Sequence, residues 1–247
     1  MCTLGAISGS YLFKTRDLWS DSDPAEEIVS GHGRYRYVGV RGHASPLERG
    51  LNSGINERGV AVAITFVDAV PLAEALAVKT PRGVLVEEIL RNCCDISSAL
   101  RVATEFLTVP LVGGNIVVAT AEGGFVLEQL HPRFAVEFIT GHVTVRTNHF
   151  LNLRTEGGMQ GNQDNSVSRF CRLQSLLSNG GSNDLKQIQG ILADHQTPHQ
   201  ICSHSGELRT VSAAIYDLRT ATLHHSAGPP CSTTWERYPA GNRHDDI

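Results

Sequence analysis

The sequence predicts an α+β chain of four layers, α/β/β/α, with two antiparallel sheets stacked between helices. Three observations point there. Strand-like and helix-like segments come in blocks, in the order strands, helices, strands, helices, strands. Short polar or glycine-bearing turns join successive strands, which makes hairpins and hence antiparallel pairing. The helices fall in two pairs, which suits one pair outside each sheet. Pattern alone leaves other α+β arrangements open.

The elements follow in order. CTLGAI and YLFKTR flank Ser8-Gly9-Ser10, a hairpin signal. RYRYVGV and GVAVAITF read as further strands, by alternation or by a continuous apolar run. Residues 82–93 set Val84, Leu85, Ile89 and Leu90 on one helical face. Asp95 is the expected N-cap of a second helix over 96–107, with Leu100, Ala103 and Leu107 aligned. Strands resume with GNIVVAT and FVLEQL about the turn AEGG, and FAVEFIT and HVTVRTN are expected to pair through Gly141. LNLRTEGGMQGNQDN, polar and glycine-rich, reads as a loop. Helices are expected over 167–178, with Phe170, Leu173 and Leu177 on a face, and over 184–193, with Leu185, Ile188 and Leu192. TVSAAIYD and TATLHHS close the chain as a hairpin. No repeat or flexible linker interrupts the order, so residues 2–236 are expected to form a single domain, with 237–247 as a tail.

Composition narrows the function. A charge of −4 gives no reason to expect nucleic acid or an anionic membrane as partner. No apolar run approaches the roughly 20 residues that span a bilayer. The N-terminus shows no basic segment followed by an apolar one, so a cytoplasmic protein with reduced thiols is expected. The six cysteines are Cys2, Cys93, Cys94, Cys171, Cys202 and Cys231, with no CxxC and no zinc-ribbon spacing. Five read as small hydrophobes.

Cys2 is the exception. Loss of Met1 would leave a free α-amine on the residue that carries the thiol. An α-amine titrates near about 8 and a thiol near about 8.5, so base and nucleophile would share one residue. The amine takes the thiol proton, and the thiolate attacks a carbonyl. No histidine is needed.

Six segments then support a resemblance. MCTLGAI, LFKTRDL, NSGINERGVAVAITF, RTNHF, SVSRFCRLQSLL, and TVSAAIYD with SAGPPC occur in that order. Together they resemble the N-terminal nucleophile hydrolases, and within them the choloylglycine hydrolase and isopenicillin N acyltransferase-like cysteine group. The resemblance runs over most of the chain. It implies the four-layer sandwich and an amide hydrolase or acyltransferase acting on a small N-acyl substrate through a Cys2 thioester. A small-molecule acyl amide, and an amine acceptor in the acyltransferase case, are the implied partners. No cofactor and no metal are implied, and a homo-oligomer is expected because the group commonly forms dimers or tetramers.

The implied site comprises Cys2, Arg16, Asp17, Asn56, Asn148 and Arg169. Cys2 is the nucleophile. Asn56 donates to the oxyanion, a role worth ~3 kcal/mol. Asn148 lies near the nucleophile's amine and the substrate. Arg16 favours thiolate, and Asp17 holds the amine. Arg169 braces the site by pairing with the carboxylate near Cys2, with Arg172 as its rival. In the bile-salt hydrolase pattern an aspartate stands three residues after the arginine. Here that position is Trp19, which leaves Asp17 or Asp21 as the orienting carboxylate. Two other readings stand beside this one. A glutaminase-type amidotransferase also begins Met-Cys, but Thr3 and the chain's length argue against it. A non-catalytic relative would keep the fold and bind a ligand.

Other clusters carry less. LADHQTPHQICSH places His195, His199, Cys202 and His204 within ten residues, which invites zinc, but Pro198 breaks the helix that a His-x₃-His pair would need. His224 and His225 point to opposite faces of a strand. Cys93-Cys94 reads as core near a helix end.

Overall fold

The first hairpin forms where its turn residues demand it. In the computed structural model β1 (Leu4–Ile7) and β2 (Tyr11–Trp19) pair antiparallel, with Leu4 opposite Lys14. Gly9 between them takes φ +72°, a left-handed conformation that disfavours L side chains. Ser10 N closes the turn on Ile7 O at 3.0 Å. The structure describes residues 2–44, 48–67, 75, 77–78, 80–154, 160–178, 184–196, 200–204 and 207–241.

Strands β3 (Glu26–His32), β4 (Arg36–Gly42), β5 (Ser53–Asn56) and β6 (Ala61–Phe66) follow, then helices α1 (Arg82–Asn92) and α2 (Ile96–Phe106). Next come β7 (Gly114–Thr120), β8 (Gly123–Leu130), β9 (Arg133–Phe138) and β10 (Val143–Arg146). Helices α3 (Gln160–Ser178) and α4 (Leu185–Leu192) precede β11 (Leu208–Asp217), β12 (Thr222–Ser226) and β13 (Trp235–Pro239). One sheet runs β10-β1-β2-β11-β12-β13 and the other β3-β4-β5-β6-β7-β8-β9, with every neighbouring pair antiparallel.

Strand alternation sorts the side chains into layers. On β6, Val62 and Ile64 face α1 and α2, where Leu85, Val86, Ile89 and Val102 cover them. Ala61 and Ala63 point the other way, between the sheets, with Leu4, Leu12, Val117 and Tyr216. On the far side Phe13, Val145 and Ile215 meet Leu173, Leu177, Ile188 and Leu192 of α3 and α4. The expected α/β/β/α order is therefore present. Each buried Leu or Ile removes apolar surface from water worth about 1.5–3 kcal/mol.

The expected Asp95 cap forms, and Asp184, read as the first residue of its helix, proves to cap it. Asp95 accepts from Ser98 N at 2.7 Å and caps α2, and Asp184 accepts from Gln187 N at 2.9 Å and caps α4. Four details differ. Strands β9 and β10 do not pair with each other. β9 joins β8 through the His131-Pro132 turn, whereas β10 joins β1, so the chain near Gly141 crosses between sheets. Helix α3 begins at Gln160, inside the segment read as a loop, because its polar first turns carry no apolar periodicity. Val84 is exposed, and Val86 takes its place on the buried face of α1. Strands β3 and β13 were not expected, and β13 runs three residues into the segment read as a tail. Both are edge strands with mixed exposure, the weakest pattern a strand can show. No helix among the described residues is long and apolar enough to cross a membrane.

The layer assignment gives a stability test. Ala63→Leu forces methylenes between the sheets and is expected to destabilise the protein by about 1–3 kcal/mol. Val84→Ala, on the exposed side of α1, is expected to stay within about 0.5 kcal/mol. Urea unfolding midpoints for the two variants check this.

Candidate active site

Two registers bring the head of the chain to the site. Thr15 N donates to Thr3 O at 2.8 Å, and Thr3 N to Thr15 Oγ1 at 3.1 Å, tying the residues before β1 to β2. β10 pairs with β1 so that Leu4 opposes Arg146. Continued two residues, that register sets Asn148 level with half-buried Cys2. The backbone nitrogen of Cys2 donates to Asn148 Oδ1 at 3.0 Å.

The same oxygen accepts from Arg169 Nη2 at 2.8 Å, and Asn148 Nδ2 donates to Phe66 O at 2.7 Å. The Asn148 amide is therefore fixed in orientation. Its backbone nitrogen donates to Ser166 Oγ at 2.8 Å, one turn before Arg169 on α3. Arg169 Nη1 donates to Cys2 O (3.1 Å) and to Thr3 Oγ1 (2.8 Å). It also lies 3.7 Å from an Asp17 carboxylate oxygen. Asp17 accepts from Thr210 Oγ1 on β11 at 2.8 Å. Asp17, Asn148 and Arg169 are all less than a tenth exposed. Asp21 is exposed in the turn after β2, and Arg172 pairs with Asp194 instead, at 2.7 Å. Of the alternatives left open by sequence, Asp17 and Arg169 are the ones at this cluster.

Lys14 and Arg82 join them. Alternation along β1 and β2 puts Cys2 on the same side of the sheet as Leu4, Leu12 and Lys14. Lys14 Nζ donates across to Ile64 O on β6 at 2.9 Å. Arg82 Nη1 donates to Thr65 O (2.5 Å) and Gly113 O (2.8 Å), with its guanidinium 5.6 Å from the centre of the Phe66 ring. Burial lowers the pKa of both, Arg82 to about 10, and negative charge at Cys2 opposes that shift in each. Burial also lowers Arg169, and there Asp17 and then Cys2 oppose it. Lys14 stands three residues before Asp17. The cation-x-x-Asp spacing sought at Arg16 and Trp19 is thus met by Lys14 and Asp17. A lysine inside a buried strand was the sequence signal for it. Arg82 gave none, since it reads as an ordinary first helical residue.

Two expected members sit elsewhere. Arg16 is held by Glu48 in two bonds (3.0 and 2.8 Å), by Pro24 O (2.9 Å) and by Glu26 (3.3 Å). Glu26 in turn accepts from Ser212 Oγ at 2.8 Å and meets His225 Nε2 at 2.7 Å. Arg16 and Asp17 leave opposite faces of β2, so Arg16 anchors a buried ion network and acts on Cys2 only through space. Asn56 is fully buried at the end of β5. Its Oδ1 accepts from Arg58 N (3.0 Å) and Val60 N (3.1 Å), while its Nδ2 donates to Leu90 O (3.0 Å) and Cys93 O (2.7 Å). It closes the turn whose Gly59 has φ +74° and satisfies the last carbonyls of α1. Both its N–H groups are used, so it does not supply an oxyanion donor.

Two outcomes follow. Asn56→Ala strands buried backbone groups and is expected to cost about 1–3 kcal/mol in unfolding free energy. Burial pushes the Glu48 carboxyl up, but its bonds to Arg16 outweigh that, and the net direction is down. A lowered carboxylate pKa adds stability above the unfolded-state value, lost as pH falls through the folded-state value. Glu48→Gln is therefore expected to flatten the acid limb of a melting-temperature profile.

Comparison with known proteins shows the family and the fold. The family model described as acyl-coenzyme A:6-aminopenicillanic acid acyl-transferase matches residues 7–231. No curated protein sequence matches the chain. Among solved structures it is similar to penicillin V acylase from Agrobacterium tumefaciens, at 12% identity and TM-score 0.60, over 96% of this chain and 84% of that one. A variant of the conjugated bile acid hydrolase from Clostridium perfringens gives 14% identity and TM-score 0.62, over 100% of both chains. The Caenorhabditis elegans N-acylethanolamine-hydrolyzing acid amidase ortholog gives 16% and 0.57, over 87% of this chain and 91% of that one. At such identities the likeness carries the fold, and the family model carries the membership. The chain belongs to the acyl-coenzyme A:6-aminopenicillanic acid acyl-transferase family and has the fold of the N-terminal nucleophile hydrolases.

Proposed function

We propose that this protein cleaves or exchanges a small N-acyl amide through a thioester on Cys2, once the bond between Met1 and Cys2 has been cut. The hydrogen bond from Cys2 N to Asn148 Oδ1, 3.0 Å long, carries this reading. An acceptor at that place holds an α-amine by one N–H and leaves its lone pair free. The lone pair takes the Sγ proton, and the thiolate attacks the amide carbon. As the C–N bond breaks, the ammonium returns the proton to the leaving nitrogen. The acyl group then sits on Sγ. Water or an amine attacks the thioester, giving its proton to the α-amine and from there to the departing thiolate. Water yields the acid, and an amine yields a new amide.

The remaining residues serve this sequence. Arg169 ties Cys2 O, Thr3 and Asn148 together, and Asp17 steadies Arg169 by charge. Lys14 offsets negative charge that develops on the Cys2 side of the sheet, where Asn56 does not reach. Membership of an acyl-transferase family favours an enzyme over a ligand-binding relative.

Intact-mass spectrometry tests it first. The expected result is loss of Met1 and, on acid quench with a reactive N-acyl amide, an acyl adduct mapped to Cys2. Retained Met1 with no adduct on any substrate of a broad acyl panel would sink the proposal. Adding an amine acceptor separates hydrolysis from transfer by product. Arg169→Ala is expected to lower kcat/KM by roughly 100-fold through misplacement of the nucleophile. Lys14→Met is expected to lower kcat on the order of 100-fold while leaving thermal stability equal or higher, because an expensive buried charge is gone.

A further inference from the structure

A second cluster lies away from Cys2, where the connector after α4 meets the turn between β12 and β13. Cys202 Sγ lies 3.8 Å from Cys231 Sγ and 3.5 Å from His204 Nε2. His204 Nε2 is 2.9 Å from Cys231 Sγ. A ring nitrogen of His195 joins, and the ligand atoms of His195, His204 and Cys231 all lie within 4.8 Å of one another. We propose that His195, His204 and Cys231, with Cys202 beside the last two as the fourth ligand, form a structural site for one zinc ion.

The two Cys202 distances match zinc geometry, while His204 Nε2 and Cys231 Sγ, 2.9 Å apart, must separate by about 0.6 Å to share the ion. Zn–S of about 2.3 Å and Zn–N of about 2.0 Å at tetrahedral angles set S–S near about 3.8 Å and S–N near about 3.5 Å. A disulfide would need sulfurs about 2 Å apart. Two thiolates and two imidazoles are a donor set that zinc favours over harder cations. The histidine tautomer fits as well. His195 Nδ1 lies 2.9 Å from Ala193 O, which can only accept, so Nδ1 carries the proton and Nε2 carries the lone pair. A carbonyl behind a ligating histidine is the usual means of orienting one.

The local fold builds the site. Ile201 N and Cys202 N both donate to Asp194 O (2.9 and 2.7 Å), which folds the connector back on itself and brings Cys202 toward His195. No four-ligand pattern appears in LADHQTPHQICSH because the missing ligand, Cys231, comes from another strand pair. A contiguous His-x₃-His helix is not needed, and Pro198 and His199 lie outside the described residues. The ligands sit beside the catalytic brace. Ser203 N donates to Thr210 Oγ1 at 2.9 Å, and Thr210 Oγ1 donates to Asp17. An ion there fixes the connector against the end of β11 that carries Thr210.

The test needs no substrate. Full-length protein, reduced and passed through gel filtration, is expected to carry about one zinc per chain by elemental mass spectrometry. Cobalt(II) added after chelation is expected to give the intense visible bands of a tetrahedral thiolate site. Cys231→Ser, at an exposed position, is expected to lose both signals with circular dichroism unchanged, whereas Cys171→Ser, also exposed, keeps them. Chelation is expected to lower the melting temperature of wild type but not of Cys231→Ser. No zinc in the reduced protein and none on adding zinc chloride, equal zinc in Cys231→Ser, or a Cys202–Cys231 disulfide that excludes metal would overturn it. None of these readouts depends on Met1 removal or on amide chemistry.

Discussion

One oxygen atom holds the candidate site together. Asn148 Oδ1 accepts from the backbone nitrogen of Cys2 and from the guanidinium of Arg169. Those donors belong to different layers. Cys2 heads the strand pair in the middle of the six-stranded sheet, and Arg169 comes from the helix layer outside it. Asn148 itself extends β10, and its Nδ2 reaches Phe66 O of the seven-stranded sheet. A small movement of any one layer breaks a bond to this single side chain. Glutamine or aspartate would not substitute: one is a methylene too long, and the other loses the donor to Phe66 and adds charge beside Cys2.

The burial of charge around this atom has a physical cost that the fold accepts. Lys14 and Arg82 donate only to backbone carbonyls among the described residues. Carbonyl dipoles compensate a buried cation poorly compared with a carboxylate, which is why burial lowers both pKa values. Arg16, by contrast, has Glu48 and Glu26. The difference separates two uses of a buried cation on one strand. A fully paired one is structural, because its field is largely cancelled nearby. One left to dipoles projects its field toward the Cys2 side of the sheet.

Most of the fold was legible in the sequence because periodicity and turn chemistry are local. Gly9 and Asp95 each act on residues within four positions. The pairing of β9 with β8 and of β10 with β1 was not legible, since two edge strands in succession resemble a hairpin whichever sheet they join. The site divided on the same ground. Cys2, Asn148, Asp17 and Arg169 stand at strand ends or a helix face, where motif and geometry coincide. Asn56 and Arg16 stand in equally suggestive motifs, yet their side chains are consumed by α1 and by Glu48. Which partner consumes a side chain is a tertiary fact, and spacing alone does not contain it.

The proposed zinc site explains why the carboxylate behind Arg169 stays in place. Asp17 lies near the end of β2, where the β2–β11 register shifts between Thr210 and Ser212. An irregular pairing is a weak place to anchor a carboxylate on which the position of Arg169 depends. Thr210 compensates by bonding Asp17 on one side and Ser203 on the other. Ser203 belongs to the connector that also carries Cys202 and His204, and Arg172 of α3 grips the start of that connector through Asp194. Zinc bound to Cys231 closes this loop covalently from the β12–β13 side. Helix α3, which carries Arg169 as well as Arg172, is then tied at both ends of the relay. On this proposal the closed connector holds the brace on Cys2 against the irregular register.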